Sequence, residues 1–211
     1  MCSNKIETVS VSGIVLAGGA SARLGQDKAL VEVAGQTLVE RVVDVLRSLA
    51  REIVLVTPSP ERLAWLGLRT VDDVYPGVGT LGGLHAGLAA IGSAYGLVVG
   101  CDMPFLNRDL LAYMIAQAEE AEVVMPRMGR FYEPLHAIYA RSVLPALEAR
   151  ILAGERRIRQ ACAGLRTRYI VEDEIAVFDP GLESFFNVNT PEDLERARAL
   201  LESQNAGRLE G

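Results

Sequence analysis

Apolar residues along this chain follow two alternating patterns. Short, unbroken runs rich in branched residues, at residues 12–17, 52–57 and 95–101, have the length and composition of strands buried on both faces. Between them the apolar period changes to three or four residues. Leu38, Val42, Val45, Leu46 and Leu49 line one face of a predicted helix, and Thr37 with Glu40 three residues later forms a capping box at its start. A short helix at 61–66 and a weaker strand at 68–71 come next, ended by Asp72 and Asp73. A loop at 75–83 then leads into a helix at 84–91, and Asn107 caps another that reaches Glu119.

The alternation continues less regularly in the second half. Strands are expected at 121–126 and 134–140, helices at 142–152 and 154–163, and short strands at 169–171, 176–178 and 185–188. Thr190-Pro191-Glu192 opens a last helix, with threonine as cap and proline at its first position. Strand and helix in repeated alternation imply an α/β fold whose sheet is mainly parallel and covered on both faces. With no linker or repeat in view, one domain at 11–201 is expected, with an N-terminal extension at 1–10 and a polar tail at 202–211.

Composition narrows the function. A net charge of −6 argues against a broad basic face for nucleic acid, so a polyphosphate ligand would need its positive groups concentrated at one place. Three cysteines without a C-x-x-C pair, and two distant histidines, support neither a disulfide framework nor a zinc cluster. No apolar run approaches the roughly 20 residues of a membrane span. The first ten residues carry no targeting signal, so a cytoplasmic setting is expected.

Two glycine clusters carry the candidate chemistry. Leu16-Ala-Gly-Gly-Ala-Ser-Ala-Arg-Leu-Gly-Gln-Asp-Lys28 leaves the first strand with glycines that let a ligand approach the backbone, a hydroxyl at Ser21, and positive charge at Arg23 and Lys28. These are the parts of a triphosphate cradle. The stretch departs from the Walker loop, because Asp27 precedes Lys28 and Ala29 follows it. The second cluster, Val71 to Gly87, contains Gly77-Val-Gly-Thr-Leu-Gly82 with Asp102 twenty residues on, which imitates a dinucleotide fingerprint and keeps an NAD-dependent oxidoreductase as one alternative. Asp102 ends an apolar strand, where open α/β sheets bind ligands, and one such carboxylate suffices for magnesium that also takes phosphate oxygens and water.

The first cluster resembles the signature of nucleotidyltransferases related to nucleotide-sugar pyrophosphorylases. Gly18-Gly19 with Asp27-Lys28-Ala29-Leu30 is similar in particular to the molybdenum cofactor guanylyltransferases. Cys101-Asp-Met-Pro-Phe-Leu106, Glu133-Pro-Leu-His136 and Phe186-Asn-Val-Asn-Thr-Pro-Glu-Asp193 resemble later motifs of the same family, and the likeness spans about residues 13–194. It implies a three-layer, Rossmann-like nucleotide-diphospho-sugar transferase fold with a mixed, mainly parallel sheet. It further implies transfer of GMP from GTP to molybdopterin or Mo-molybdopterin with release of pyrophosphate. Under it, Arg23, Lys28 and Asp102 are catalytic, and Asp102 holds Mg2+. The nucleotide meets Leu16, Ala17, Gly18, Gly19, Ser21, Lys28, Asp73, Gly79, Leu81, Gly83 and Asp102, with Asp72 a substitute for Asp73. Glu133, His136, Arg156, Asn187 and Asn189 face the acceptor, Asn187 being the stronger candidate of the two asparagines. Thr80 stands where the family usually has proline. Alternatives of the same fold are a cytidylyl- or nucleotide-sugar transferase, and a noncatalytic nucleotide-binding protein is a further one. Expected partners are small molecules rather than nucleic acid or membrane, with transient contact to molybdenum cofactor insertion proteins or molybdoenzymes.

Overall fold

The computed structural model describes residues 9–18 and 27–209. Its strands are β1 (Val11–Leu16), β2 (Glu32–Val33), β3 (Gln36–Thr37), β4 (Ile53–Val56), β5 (Arg69–Val71), β6 (Tyr95–Gly100), β7 (Val123–Met128), β8 (Phe131–Tyr132), β9 (His136–Ala140) and β10 (Thr167–Val171). The helices are α1 (Leu38–Arg47), α2 (Thr80–Ala90), α3 (Arg108–Ala116), α4 (Leu144–Leu152), α5 (Ile158–Ala161), α6 (Glu172–Ile175) and α7 (Pro191–Leu209).

The main sheet runs β10-β7-β9-β6-β1-β4-β5, with β8 paired to β7 as a hairpin. β1 pairs in parallel with both β4 and β6, β4 with β5, and β7 with β10, while β9 is antiparallel to β6 and β7. Six strands therefore end at one sheet edge, as the alternation predicts, and β9 makes the sheet mixed. Successive side chains on each strand point to opposite faces. Val15, Leu97, Val99 and Ile138 pack on one face with α1 and α3, and Ile14, Val54, Val98 and Ala137 on the other with α2, α4 and α5. A smaller core ties β2 to α7 through Val31, Val33, Ala197 and Leu201. No helix among the described residues is long and apolar enough to cross a membrane.

Local signals act as predicted where the partners are near in sequence. Thr37 and Glu40 form both halves of the capping box, at 3.3 and 2.8 Å. Asn107 accepts from the backbone N–H groups of Asp109 and Leu110 at 2.9 and 3.0 Å.

Four expectations are corrected. Residues 176–178 form no strand, because the Ile175 carbonyl accepts from the N–H groups of Phe178 and Asp179 at 3.0 and 2.9 Å and closes a turn. Residues 185–188 leave a 3-10 turn at Glu183–Phe185, and their apolar side chains pack without a ladder. The helix expected at 154–163 shortens to α5, since Glu155 accepts from the N–H groups of Arg156 and Arg157, both at 2.8 Å, and Arg157 is extended. Finally, α2 begins at Thr80, four residues early, after Gly79 at φ +72°.

α2 lies unusually close to the sheet. A Cβ on Gly87 would come within 2.4 Å of Ile14 Cγ2, so glycine here permits a backbone approach that alanine would block.

Candidate active site

The site forms at the edge where the parallel strands end. In register, Leu16 faces Val56 on one side and Gly100 on the other. Past the strands, the Cys101 N–H donates to the Leu16 carbonyl at 3.2 Å and the Ala17 N–H to that of Val56 at 2.9 Å. The turns that follow are thereby held side by side.

Lys28, Asp102 and Asn189 meet here from three distant segments. Asp27 caps the 3-10 turn Lys28–Leu30 by accepting from the Ala29 N–H at 3.1 Å, and Arg62 pairs with its other oxygen at 3.0 Å. So braced, Lys28 extends Nζ to Asp102 Oδ2 at 3.0 Å and donates also to Asn189 Oδ1. The Val188 N–H reaches the Asp102 carbonyl at 2.9 Å, which joins the last loop to the end of β6. Asp193 then accepts from the N–H groups of Asn189 and Thr190 at 3.0 and 2.9 Å, and its own N–H donates to Thr190 Oγ1 at 3.1 Å. Burial pushes the Asp193 carboxyl up, but these hydrogen bonds prevail and hold it below the ordinary range. The helix cap of α7 thus doubles as the mount for Asn189.

With side chains 20% and 18% exposed, Lys28 and Asp102 form an ion pair that an incoming ligand can reach. Among the described residues no three His, Cys, Asp or Glu side chains converge as a metal cluster. One carboxylate beside an amide oxygen nevertheless suits magnesium, which takes one or two carboxylates and completes its octahedron with phosphate oxygens and water. The neighbouring Cys101 is no candidate ligand, since burial drives its thiol far up.

Beside this cluster a cleft of about 620 Å³ opens between the ends of β1, β4 and β5 and the start of α2. That is the size of a small-molecule site. Of the residues expected at the nucleotide, Leu16, Gly18, Asp73, Gly79 and Gly83 line it. The Ala17 and Leu81 side chains are buried. Gly19, Ser21 and Arg23 lie outside the described residues.

Asp73 is held by its surroundings. Its Oδ1 accepts from the Tyr75 N–H at 2.7 Å, its own N–H donates to Asp72 Oδ1 at 2.7 Å, and the carboxylate fills the space where a Cβ on Gly82 would stand. Thr57, Pro58, Asp72, Pro76 and Thr80 also line the cleft. Thr57 and Pro58 went unnoticed in the sequence. Their place at the end of the strand beside the first is a topological signal, invisible until strand order is known.

Of the acceptor candidates, Asn189 belongs to the cluster itself and Glu133 lies near enough to feel the charge of Asp102. Burial raises its carboxyl, the Leu135 N–H opposes this by donating to Oε1 at 3.4 Å, and the nearby negative charge of Asp102 raises it further. His136 is wholly buried on the opposite sheet face, its ring 4.9 Å from that of Phe185. Burial pushes it down to about 4 against the pull of Asp179 and the Ser184 backbone, so it is neutral and packed. Arg156 is exposed and donates to the Glu155 carbonyl at 2.9 Å. Asn187 donates to the Phe185 carbonyl at 3.0 Å, leaving Asn189 as the asparagine that meets Lys28.

Known proteins resemble this chain over most of its length. The family described as the MobA-like NTP transferase domain matches residues 13–169. A probable molybdenum cofactor guanylyltransferase of Pelotomaculum thermopropionicum is 37% identical over 201 residues, covering 95% of this chain and 98% of its own. The molybdenum cofactor guanylyltransferase of Desulfosudis oleivorans is 37% identical over 204 residues with the same coverage. Among solved structures, molybdopterin-guanine dinucleotide biosynthesis protein A of Archaeoglobus fulgidus superposes with a TM-score of 0.79 at 31% identity, covering 91% of this chain and 99% of that one. A cytidylyltransferase of Thermus thermophilus, acting on 2-C-methyl-D-erythritol 4-phosphate, shares the fold at a TM-score of 0.68 and 19% identity, with 90% and 98% covered.

Proposed function

The chain belongs to the MobA-like NTP transferase family, and on that premise we propose that it transfers GMP from GTP to the phosphate of molybdopterin or Mo-molybdopterin. The products are a guanine dinucleotide and pyrophosphate. The observation that carries this reading is the convergence of Lys28, Asp102 and Asn189 at the parallel sheet edge, beside a cleft bearing Asp72 and Asp73.

In this reaction an acceptor phosphate oxygen bonds to the α-phosphorus of GTP. The bond from that phosphorus to the bridging oxygen breaks, and pyrophosphate leaves with the electron pair. The acceptor phosphate is already an anion near neutral pH, so no general base is required. Lys28 would turn from Asp102 toward the phosphates, where a fixed cation in a partly buried site offsets the charge that builds on the leaving group. Gly18, Gly19, Ser21 and Arg23 would wrap the triphosphate. Magnesium held by Asp102 would neutralise phosphate oxygens when bound. Asn189, fixed by the cap of α7, would position Lys28 and the acceptor.

The carboxylates support guanine as the base. Guanine offers two adjacent donors, N1–H and N2–H2, to one carboxylate, whereas cytosine has a single exocyclic donor beside ring acceptors. A carboxylate at Asp73 therefore favours GTP over CTP. Glu133 and Arg156 remain acceptor-side candidates. A cytoplasmic setting and transient hand-over of the product to insertion proteins or molybdoenzymes complete the proposal.

The test is pyrophosphate release with magnesium and each of GTP, CTP, ATP and UTP, with and without molybdopterin, in the parent and Asp102→Asn. Release confined to GTP plus molybdopterin, and lost in the variant, is the expected result. A preference for CTP would move the chain to the cytidylyl branch.

A further inference from the structure

Among the described residues Asp179 is the single carboxylate buried from solvent, at 7% exposure. Taking such a charge out of water is costly unless donors answer it. Here the backbone does so. The Glu183 N–H donates to Oδ1 at 3.0 Å and the Ser184 N–H to Oδ2 at 2.8 Å, while the Leu182 N–H reaches the Asp179 carbonyl at 3.1 Å. Three successive amides thus converge on one residue. They hold Leu182 at φ +55°, a left-handed conformation that residues other than glycine seldom adopt.

The turn stapled in this way is fastened to the segment that follows Asp102. Ser184, wholly buried, accepts at Oγ from the Asn107 N–H at 3.2 Å, and Asn107 Nδ2 donates back to the Phe178 carbonyl at 2.9 Å. Further along, the Phe186 ring meets that of Phe105 edge to face, 5.8 Å between centroids, before the Val188 N–H reaches the Asp102 carbonyl. Phe185 packs on the buried ring of His136. Three of the six buried polar or ionisable side chains among the described residues, His136, Asp179 and Ser184, therefore gather under this one segment. The polar interior of the molecule is concentrated where Asn189 is mounted.

Asn189 stands at the end of the fastened segment. Asp193 fixes its backbone from the α7 side, and the Asp179 turn fixes the chain that leads to it from the other. Lys28 Nζ is shared between Asp102 and Asn189, so any slip of residues 178–188 along residues 102–107 changes both contacts together. The cleft that bears Asp73 is lined by none of residues 178–189.

We propose that Asp179 is a positioning residue for the transfer reaction: through the stapled turn and Ser184 it sets Asn189 against Lys28 and Asp102. The kinetic consequence rests on the guanylyltransferase reading above.

Asp179→Asn keeps the shape but replaces one accepting oxygen with an NH2 group that cannot accept. Ser184→Ala removes only the acceptor of the Asn107 N–H, and it tests the same link where Asp179→Asn folds poorly. Each should lower kcat for pyrophosphate release from GTP and molybdopterin about tenfold, within the roughly hundredfold that about 1 Å of misplacement can cost, and leave KM for GTP unchanged. In an Asn189→Ala background neither should lower kcat further, because the effect runs through that side chain. Hydrogen exchange needs no substrate, and it should show the Val188 N–H exchanging about tenfold faster in both variants while the β1 amides keep parental rates. Parental kcat in both variants, or an equal loss with and without Asn189, would overturn the positioning role and leave the guanylyltransferase reading intact. A parent that releases no pyrophosphate would overturn that reading instead. Faster Val188 exchange in the variants would then still support the staple, and parental exchange would overturn it as well.

Discussion

Gly82 offers the sharpest test of the nucleotide cleft, because its missing side chain is occupied by a carboxylate. A Cβ built there would lie 2.3 and 2.6 Å from the two Asp73 oxygens and 2.8 Å from Cγ. Ordinary contact begins near 3.4 Å, so in Gly82→Ala the carboxylate must move by about 1 Å. Two effects then compete. Alanine within α2 adds about 1 kcal/mol of helix stability. Displacing Asp73 disturbs its 2.7 Å hydrogen bond from the Tyr75 N–H, worth about 1 kcal/mol. The thermal midpoint should therefore change little. Ligand binding should change much more, since about 1 Å of misplacement can cost up to about a hundredfold. Gly82→Ala is thus expected to weaken GTP binding, measured by calorimetry, by ten- to a hundredfold in a protein of near-parental stability. A double-mutant cycle identifies the cause. With Asp73→Ala already present, Gly82→Ala should cost no further affinity and should now stabilise by about 1 kcal/mol. Equal loss of affinity with and without Asp73 would refute the reasoning, and so would full GTP affinity in the single variant.

Lys28→Met should reduce turnover with GTP by about 10²- to 10³-fold, as loss of one charge-stabilising donor does, and should lower the urea midpoint modestly because Asp102, 18% exposed, loses its partner in a partly buried site. His136 falls from 6.5 unfolded to about 4 folded, so the native state prefers the neutral ring. The resulting stability is full above pH 6.5 and is lost as pH falls toward 4, a change of about 3 kcal/mol at about 1.4 kcal/mol per pH unit. Urea unfolding at pH 7 and pH 4 should show that loss in the parent and a clearly smaller one in His136→Leu; equal losses would refute the assignment. Gly87→Ala sets about 1 kcal/mol of helix propensity against overpacking of about 1–3 kcal/mol on Ile14, and a lowered thermal midpoint is expected.

How far the chain could be read in advance depended on the range of the interactions. The Thr37–Glu40 box, the Asn107 cap and the buried run before Asp102 are decided within a few residues, and each stands where the pattern placed it. Residues 176–178 and 185–188 have the apolar content of strands, but a strand also needs a neighbour with unpaired backbone. Edge strand β10 offers one, but the Ile175 carbonyl closes a turn over residues 176–178 and the Val188 N–H bonds to the Asp102 carbonyl, so both segments turn and pack instead. The same limit applies to the two asparagines. Asn187 and Asn189 share a motif and a spacing that points both the same way. What separates them is Asp193, which seizes the backbone of Asn189 and aims its side chain at Lys28, while Asn187 folds back on Phe185. The parts of the Lys28–Asp102–Asn189 cluster are therefore written in local motifs, and their meeting is written in tertiary contacts.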